Sequence, residues 1–212
     1  VDQRTPFSWR RANPLASLKL LRAHPELLGL AGVSFLMAMA HLVYPTTFVL
    51  YADYRFGWGL DMVGWTLLLV GLLTIVVQGG LIGRISRALG NRRTLLLGAA
   101  AGGVGFAGYA LAPTGYWFWA AMPIAALWAI AGPATQAIMT SRVSASEQGR
   151  LQGAIGSLNS IAGILGPTLF TQTLAAVAVN QVQGPLAGAS FWLASGLVTL
   201  AGLLAWRITT RT

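Results

Sequence analysis

The sequence predicts an all-α integral membrane protein of six transmembrane helices, and three observations carry that expectation. Of its 212 residues, 55% are hydrophobic and only 9% are charged. Ordinary soluble domains carry roughly 25% charged residues; a soluble fold of this size could not cover its surface with so few, and a bilayer removes the need. Six stretches stay apolar over about 20 residues, the length a helix needs to cross the hydrocarbon core. The arginines between them fall almost wholly at alternate span ends.

Taken in order, residues 1–24 are basic and polar. Within them Asn13 caps, and Pro14 opens, a short amphipathic stretch at residues 15–22. It reads as an interfacial helix that holds Lys19 and Arg22 near lipid headgroups. The spans follow at residues 26–51, 62–85, 94–112, 117–139, 151–177 and 187–206. Between them lie a polar turn at residues 53–61 and turn signals at Gly90-Asn91, Pro113-Thr-Gly115 and residues 180–185. No segment resembles a strand series or a separate soluble domain. The chain therefore divides into a basic segment, 1–24, and a six-helix bundle, 25–212. It begins with Val, and no short signal-peptide pattern precedes the first apolar run. The expectation is a piece of something longer, or a processed product.

Arg4, Arg10, Arg11, Lys19 and Arg22 precede the first span. Arg84, Arg87, Arg92 and Arg93 flank the second loop, Arg142 and Arg150 the fourth, and Arg207 and Arg211 follow the sixth span. With six crossings all these ends share one side. The other side carries only Arg55, beside Asp53 and Asp61. The positive-inside rule then places both termini in the cytoplasm. The net charge of +9 follows from this asymmetry, without nucleic acid as a partner. Tyr51, Tyr54, Trp58, Tyr116, Trp117 and Trp119 sit near span ends, where amphipathic rings prefer to lie.

Helices in lipid gain nothing from burying apolar faces against one another, so they pack where small residues allow close approach. Gly79 and Gly83, Gly98 and Gly102, and Gly149 and Gly153 have that spacing. Gly163, Gly166 and Pro167 form a further small-residue run. The third and fifth spans are the richest in small residues and are expected to pack tightly; the spacings specify packing rather than function.

Polar groups inside spans are costly and face the bundle interior or a cavity. The first span has His41, Tyr44, Thr46 and Thr47; the second Thr66, Thr74 and Gln78. Thr135 and Gln136 lie on the fourth, and Ser157, Asn159, Ser160, Thr168, Thr171 and Gln172 on the fifth. Gln78, Gln136 and Asn159 cannot shed their polarity by changing protonation. Each needs a partner from another helix, from water or from a substrate. The five carboxylates, Asp2, Glu26, Asp53, Asp61 and Glu147, all lie at or outside span ends. His41 alone could titrate near the midplane, and a neutral structural histidine is the competing reading. This chain is therefore not expected to carry the main proton-binding site; if transport is proton-driven, the acid is expected in a further part of the protein.

Enzyme constellations are absent from the sequence: no phosphate-binding Gly loop, no zinc-type His spacing and no Ser-His-Asp set. Cysteine is absent, and His24 and His41 are the only histidines, too few for most metal sites. The expectation is a protein that is not an enzyme and holds neither cofactor nor metal.

Gly83-Arg-Ile-Ser-Arg-Ala-Leu-Gly90-Asn-Arg92-Arg93 resembles the loop signature of the major facilitator superfamily, and it falls between the second and third spans as that family requires. Arg87-Ala88 stands where the signature has Asp-Arg. The resemblance narrows to the C-terminal six-helix half of the tetracycline-efflux branch of drug:proton antiporters. It is carried by Asn13-Pro-Leu-Ala-Ser17, Arg55-Phe-Gly-Trp58, Arg92-Arg93-Thr-Leu-Leu-Leu-Gly98, Gly132-Pro-Ala-Thr-Gln136, Ser141-Arg-Val143, Gln148-Gly-Arg-Leu-Gln-Gly153 and Gly166-Pro167, in that order. Two departures stand out: Thr74 replaces a His four residues before Gln78, and Gly102 replaces an Asp. They point away from tetracycline and toward another amphipathic compound.

The resemblance implies two inverted three-helix repeats, with spans 1 and 4 lining a central cavity, 2 and 5 beside them, and 3 and 6 outside as support. It makes His41, Tyr44, Thr47, Thr74, Gln78, Gln136 and Asn159 cavity candidates. It implies a secondary active efflux transporter half in a bacterial inner membrane. Its partners would be the bilayer, a small-molecule substrate, a proton, and an N-terminal six-helix half or a second copy of the chain. A non-transporting scaffold that reuses the fold is the reading from another class.

Overall fold

A computed structural model describes residues 25–210. The expected interfacial helix at 15–22, with the rest of segment 1–24 and Arg211, lies outside the described residues. Within them the regular structure is entirely helical. Helix α1 spans Pro25–His41, α2 Val43–Phe56, α3 Leu60–Val76 and α4 Ile82–Leu111; α5 spans Gly115–Ala126, α6 Ala131–Thr140, α7 Gln148–Val179 and α8 Ala189–Thr209. A π-helical turn, Val77–Leu81, joins α3 to α4, and a 3-10 turn, Leu127–Ile130, joins α5 to α6. The apolar runs are grouped into five continuous helical rods, of which Leu60–Leu111 is 52 residues long. That is more than twice what a bilayer requires. It is two crossings, because Gly90 (φ 75°, ψ 161°) breaks the helix between them. Only glycine holds that backbone conformation without strain. The predicted turn at 53–61 is shorter than expected, since α2 runs to Phe56 and closes on the left-handed Gly57 (φ 64°).

The breaks in the first and fourth spans have sequence causes. Proline has no N–H and crowds the carbonyl four residues back. Pro45 acts in this way on His41, and the chain leaves the α-helix at Leu42, whose N–H turns to the Met39 carbonyl at 3.1 Å. Pro133 acts on Ala129, inside the 3-10 turn. Kinks in long helices usually trace to such residues.

Contacts between spans fix their directions. A Cβ on Gly29 would meet Ile208, and one on Gly32 would meet Leu204, so α1 and α8 run antiparallel. Arg92 Nε donates to Thr209 Oγ1 at 2.9 Å. Arg142 forms an ion pair with Glu26. The N-terminus of α1, the 84–93 and 141–150 segments and the C-terminus of α8 therefore share one end of the bundle. At the other end Arg55 donates to the Ala112 carbonyl at 3.3 Å and Trp58 packs over Gly115. The arginines gather at one end, as the alternation of spans demands, with Arg55 opposite. An odd number of crossings per unit makes spans 4–6 run opposite to spans 1–3.

The third span, residues 94–111, is the packing centre. A Cβ on Gly98 would lie 2.9 Å from Ala131, one on Gly102 2.7 Å from the Trp128 ring, and one on Gly105 2.5 Å from the Ala125 backbone. Ser195 Oγ closes the other side, donating to the Gly103 carbonyl at 2.7 Å. The fifth span departs from expectation. Gly166 does pack, against Leu42, but Gly149, Gly156 and Gly163 have nothing within 4 Å. Gly163 is therefore not a packing residue among the described residues. Gly79 and Gly83 are equally open. The reason is position: spans 2 and 5 lie at the margin of the bundle and turn whole faces outward, with Ile75 68% and Ile164 73% exposed.

Gly105→Leu should destabilise the bundle by about 1 to 3 kcal/mol, the usual cost of overpacking, whereas Gly156→Leu should leave it unchanged. Thermal unfolding in detergent, followed by size exclusion, distinguishes the two; equal melting temperatures would show that the third span is not the packing centre.

Candidate functional site

An open cavity of about 450 Å³ lies among spans 1 to 5. It is built mainly from one face of span 1 and one face of span 4. Ser34, Met37, His41 and Tyr44 follow one another at helical spacing along the first, and Met122, Ala125, Ala129, Gly132 and Gln136 along the second. Span 2 adds Val70, Leu73, Thr74 and Gln78, and span 5 adds Ile155 and Asn159. Three helix irregularities border it: His41 precedes the break at Leu42, Gln78 lies in the π turn, and Trp128 lies in the 3-10 turn at Leu127–Ile130. Irregular backbone at membrane depth is tolerated where it lines a cavity, and single π turns are frequent at functional sites.

Six of the cavity candidates, His41, Tyr44, Thr74, Gln78, Gln136 and Asn159, line this space. Thr47 does not. It is 1% exposed, and its hydroxyl donates to the Val43 carbonyl at 2.7 Å. It lies one turn beyond Tyr44, where Phe48 and Phe118 stack at 5.7 Å and rings fill the bundle. Tyr109 stacks on Phe118 at 4.2 Å, and Tyr51 meets Phe191 edge-on at 4.9 Å.

The third span, expected to be external support, contributes Phe106 and Tyr109 to the lining; span 6 contributes none of the lining residues. Phe106 and Trp128 were not among the sequence candidates, because an aromatic ring in an apolar span carries no cost that would mark it. Ser34 and Met37 were legible in principle, since stepping back from His41 by one and two turns reaches them.

Polar satisfaction sorts the rest. Thr66 is fully buried and accepts from Trp119 Nε1 at 2.9 Å, a structural bond between spans 2 and 4. Ser157, Ser160 and Thr171 donate to carbonyls of their own helix. Thr74 does the same, to Val70 at 2.8 Å. Gln78, Gln136, Asn159 and His41 make no side-chain hydrogen bond to any described residue. An unsatisfied polar group in hydrocarbon costs several kcal/mol, so these four call for a partner beyond the described residues: water, a ligand or another part of the protein.

The loop-motif residues sit apart from the cavity, at the arginine-rich end. Arg87 Nε donates to the Gly83 carbonyl at 3.0 Å, Gly90 makes the reversal, Arg92 ties to Thr209, and Arg93 is exposed. Among the described residues no group of three His, Cys, Asp or Glu side chains could hold a metal ion.

Six helical crossings, all but free of charge within, around one central polar-edged cavity, define a multi-pass membrane protein of carrier-like architecture. The chain belongs to the Major Facilitator Superfamily, whose family model matches residues 2–167. It is 37% identical over 171 residues to the class G tetracycline resistance protein of Vibrio anguillarum, covering 79% of this chain and 43% of that one. It is 32% identical over 179 residues to the class C tetracycline resistance protein of Escherichia coli, covering 83% and 44%. A human relative, Hippocampus abundant transcript-like protein 1, is 31% identical over 164 residues, 77% of this chain and 32% of its own length. The chain thus spans less than half the length of these relatives.

Because the protein contains no cysteine, single cysteines report access directly. Gln136→Cys and Asn159→Cys should react with a water-soluble thiol reagent roughly tenfold faster than Thr47→Cys, reactivity being governed by exposure. Equal rates, read by mass spectrometry, would place Thr47 in the cavity after all.

Proposed function

We propose that this chain is the C-terminal half of a secondary active efflux transporter, exporting a small amphipathic compound by alternating access in exchange for protons. The observation that carries the reading is the cavity itself. It offers three amides without hydrogen-bond partners among the described residues, Gln78, Gln136 and Asn159, beside a ring-lined apolar wall formed by Tyr44, Phe106, Tyr109 and Trp128. A ligand with an apolar body and a polar edge satisfies both at once. The kinship with tetracycline resistance proteins supports efflux as the direction of transport.

The outward faces of spans 2 and 5 support a second six-helix body. They hold open glycines and large exposed apolar side chains, the surface against which another bundle could rock around a central ligand. In this reading the other body is the N-terminal half of the same transporter. The arginine-rich end faces the cytoplasm of a bacterium, in accord with the positive-inside rule.

Two experiments test this. In cells expressing the whole reading frame, Gln136→Ala and Asn159→Ala should each cut efflux of whichever amphipathic dye of a panel the unaltered protein exports roughly fivefold, the loss of about one hydrogen bond; unchanged efflux in both variants would remove the cavity from transport. In right-side-out vesicles an impermeant maleimide should label Tyr116→Cys and spare Arg93→Cys. The reverse pattern would invert the orientation.

A further inference from the structure

His41 is the one polar cavity residue whose chemistry the binding reading leaves unused. It lines the cavity and makes no hydrogen bond to any described residue. A structural histidine in lipid would be partnered; this one lines the cavity with no hydrogen-bond partner among the described residues. Among the described residues lining the cavity, no other competes for a proton at neutral pH. The other titratable side chains lining the space are Tyr44 on span 1 and Tyr109 on span 3, phenols that ordinarily ionise near pH 10. Span 2 presents Thr74 and Gln78, span 4 Trp128 and Gln136, and span 5 Asn159, none of them titratable. Among the described residues the charged side chains lie at span ends.

Two further features set His41 in place. It ends α1 at the break that Pro45 enforces, so any bending of span 1 changes its surroundings first. Its ring lies 5.8 Å from that of Trp128, and Trp128 in turn occupies the space over Gly102. No side chain from the third span can enter there to share a proton.

We propose that His41 is the proton-binding group of this half, taking a proton from cavity water onto its free ring nitrogen, and that its protonation is linked to occupancy of the cavity. Linkage is reciprocal: if an occupant shifts the proton affinity of His41, the proton shifts the occupant's affinity by the same factor. The physiological meaning of this rests on the transporter reading, but the test does not.

The protein, expressed from its whole reading frame with ¹⁵N-labelled histidine and placed in lipid nanodiscs, is titrated by NMR from about pH 5 to about pH 9, the range an ordinary histidine spans. His24→Gln and His41→Gln assign the signals. N-ethylmaleimide on Ala129→Cys then plugs the cavity without any need to know the cargo. Ala38→Cys is the alternative plug should the first fail to fold, and Tyr116→Cys at the far end is the control. The expected result is a His41 midpoint inside the range that moves by about half a pH unit or more on plugging and stays put in the control. No titration of His41, or a midpoint indifferent to the plug, overturns the proposal. Efflux of a panel of amphipathic dyes, ethidium among them, is measured in parallel. Absence of efflux across the whole panel would sink the transporter reading and leave the proton result standing, whereas efflux with an indifferent His41 would do the opposite.

Discussion

In the hydrocarbon core there is no water to satisfy a backbone N–H or carbonyl, so a chain that enters must satisfy them itself. That constraint organises the whole molecule. It makes every crossing helical, and it confines departures from the α-helix to places where other polar matter can intervene. The break at Leu42, the π turn at Val77–Leu81 and the 3-10 turn at Leu127–Ile130 all adjoin the cavity. A proline enforces two of them. The same positions that would be defects on a lipid face become the chemically open points of the site.

A second consequence is that the bundle cannot be held together by hydrophobic burial, since lipid is as apolar as leucine. Cohesion comes from close approach. The third span supplies it with Gly98, Gly102, Gly103 and Gly105, set against spans 4 and 6 at distances no side chain would permit. Ring packing completes it where the spans diverge, from Phe48 through Phe118 and Tyr109 to Phe191. The cavity persists between spans 1, 2, 4 and 5 because the helix-to-helix contact is concentrated on the far side of them.

The departures from the tetracycline-efflux pattern acquire a physical reason here. Gly102 stands where that branch has an aspartate, and the ring of Trp128 fills the space its side chain would need. Thr74, standing for a histidine, turns its hydroxyl back to Val70. The lining is left with neutral amides, rings and a single imidazole. A site so composed suits a ligand recognised by stacking and hydrogen bonds better than one held by a fixed negative charge.

Much of this was legible before any coordinates. The charge-poor composition and the alternation of arginines determine helices, their number of crossings and which ends lie together, because both follow from transfer energies that act on each residue separately. Gln78, Gln136 and Asn159 could be singled out for the same reason: an amide in an apolar span is costly wherever the span happens to point. Which face of each helix meets which neighbour was not legible. Gly105 and Gly163 look alike in sequence, yet one is clamped against Ala125 and the other faces outward. Thr47 follows Tyr44 by one turn and is lost to the site, while Phe106 and Trp128 enter it unannounced. Those outcomes depend on the rotation of each helix about its axis, and only the mutual packing of all six spans sets that rotation.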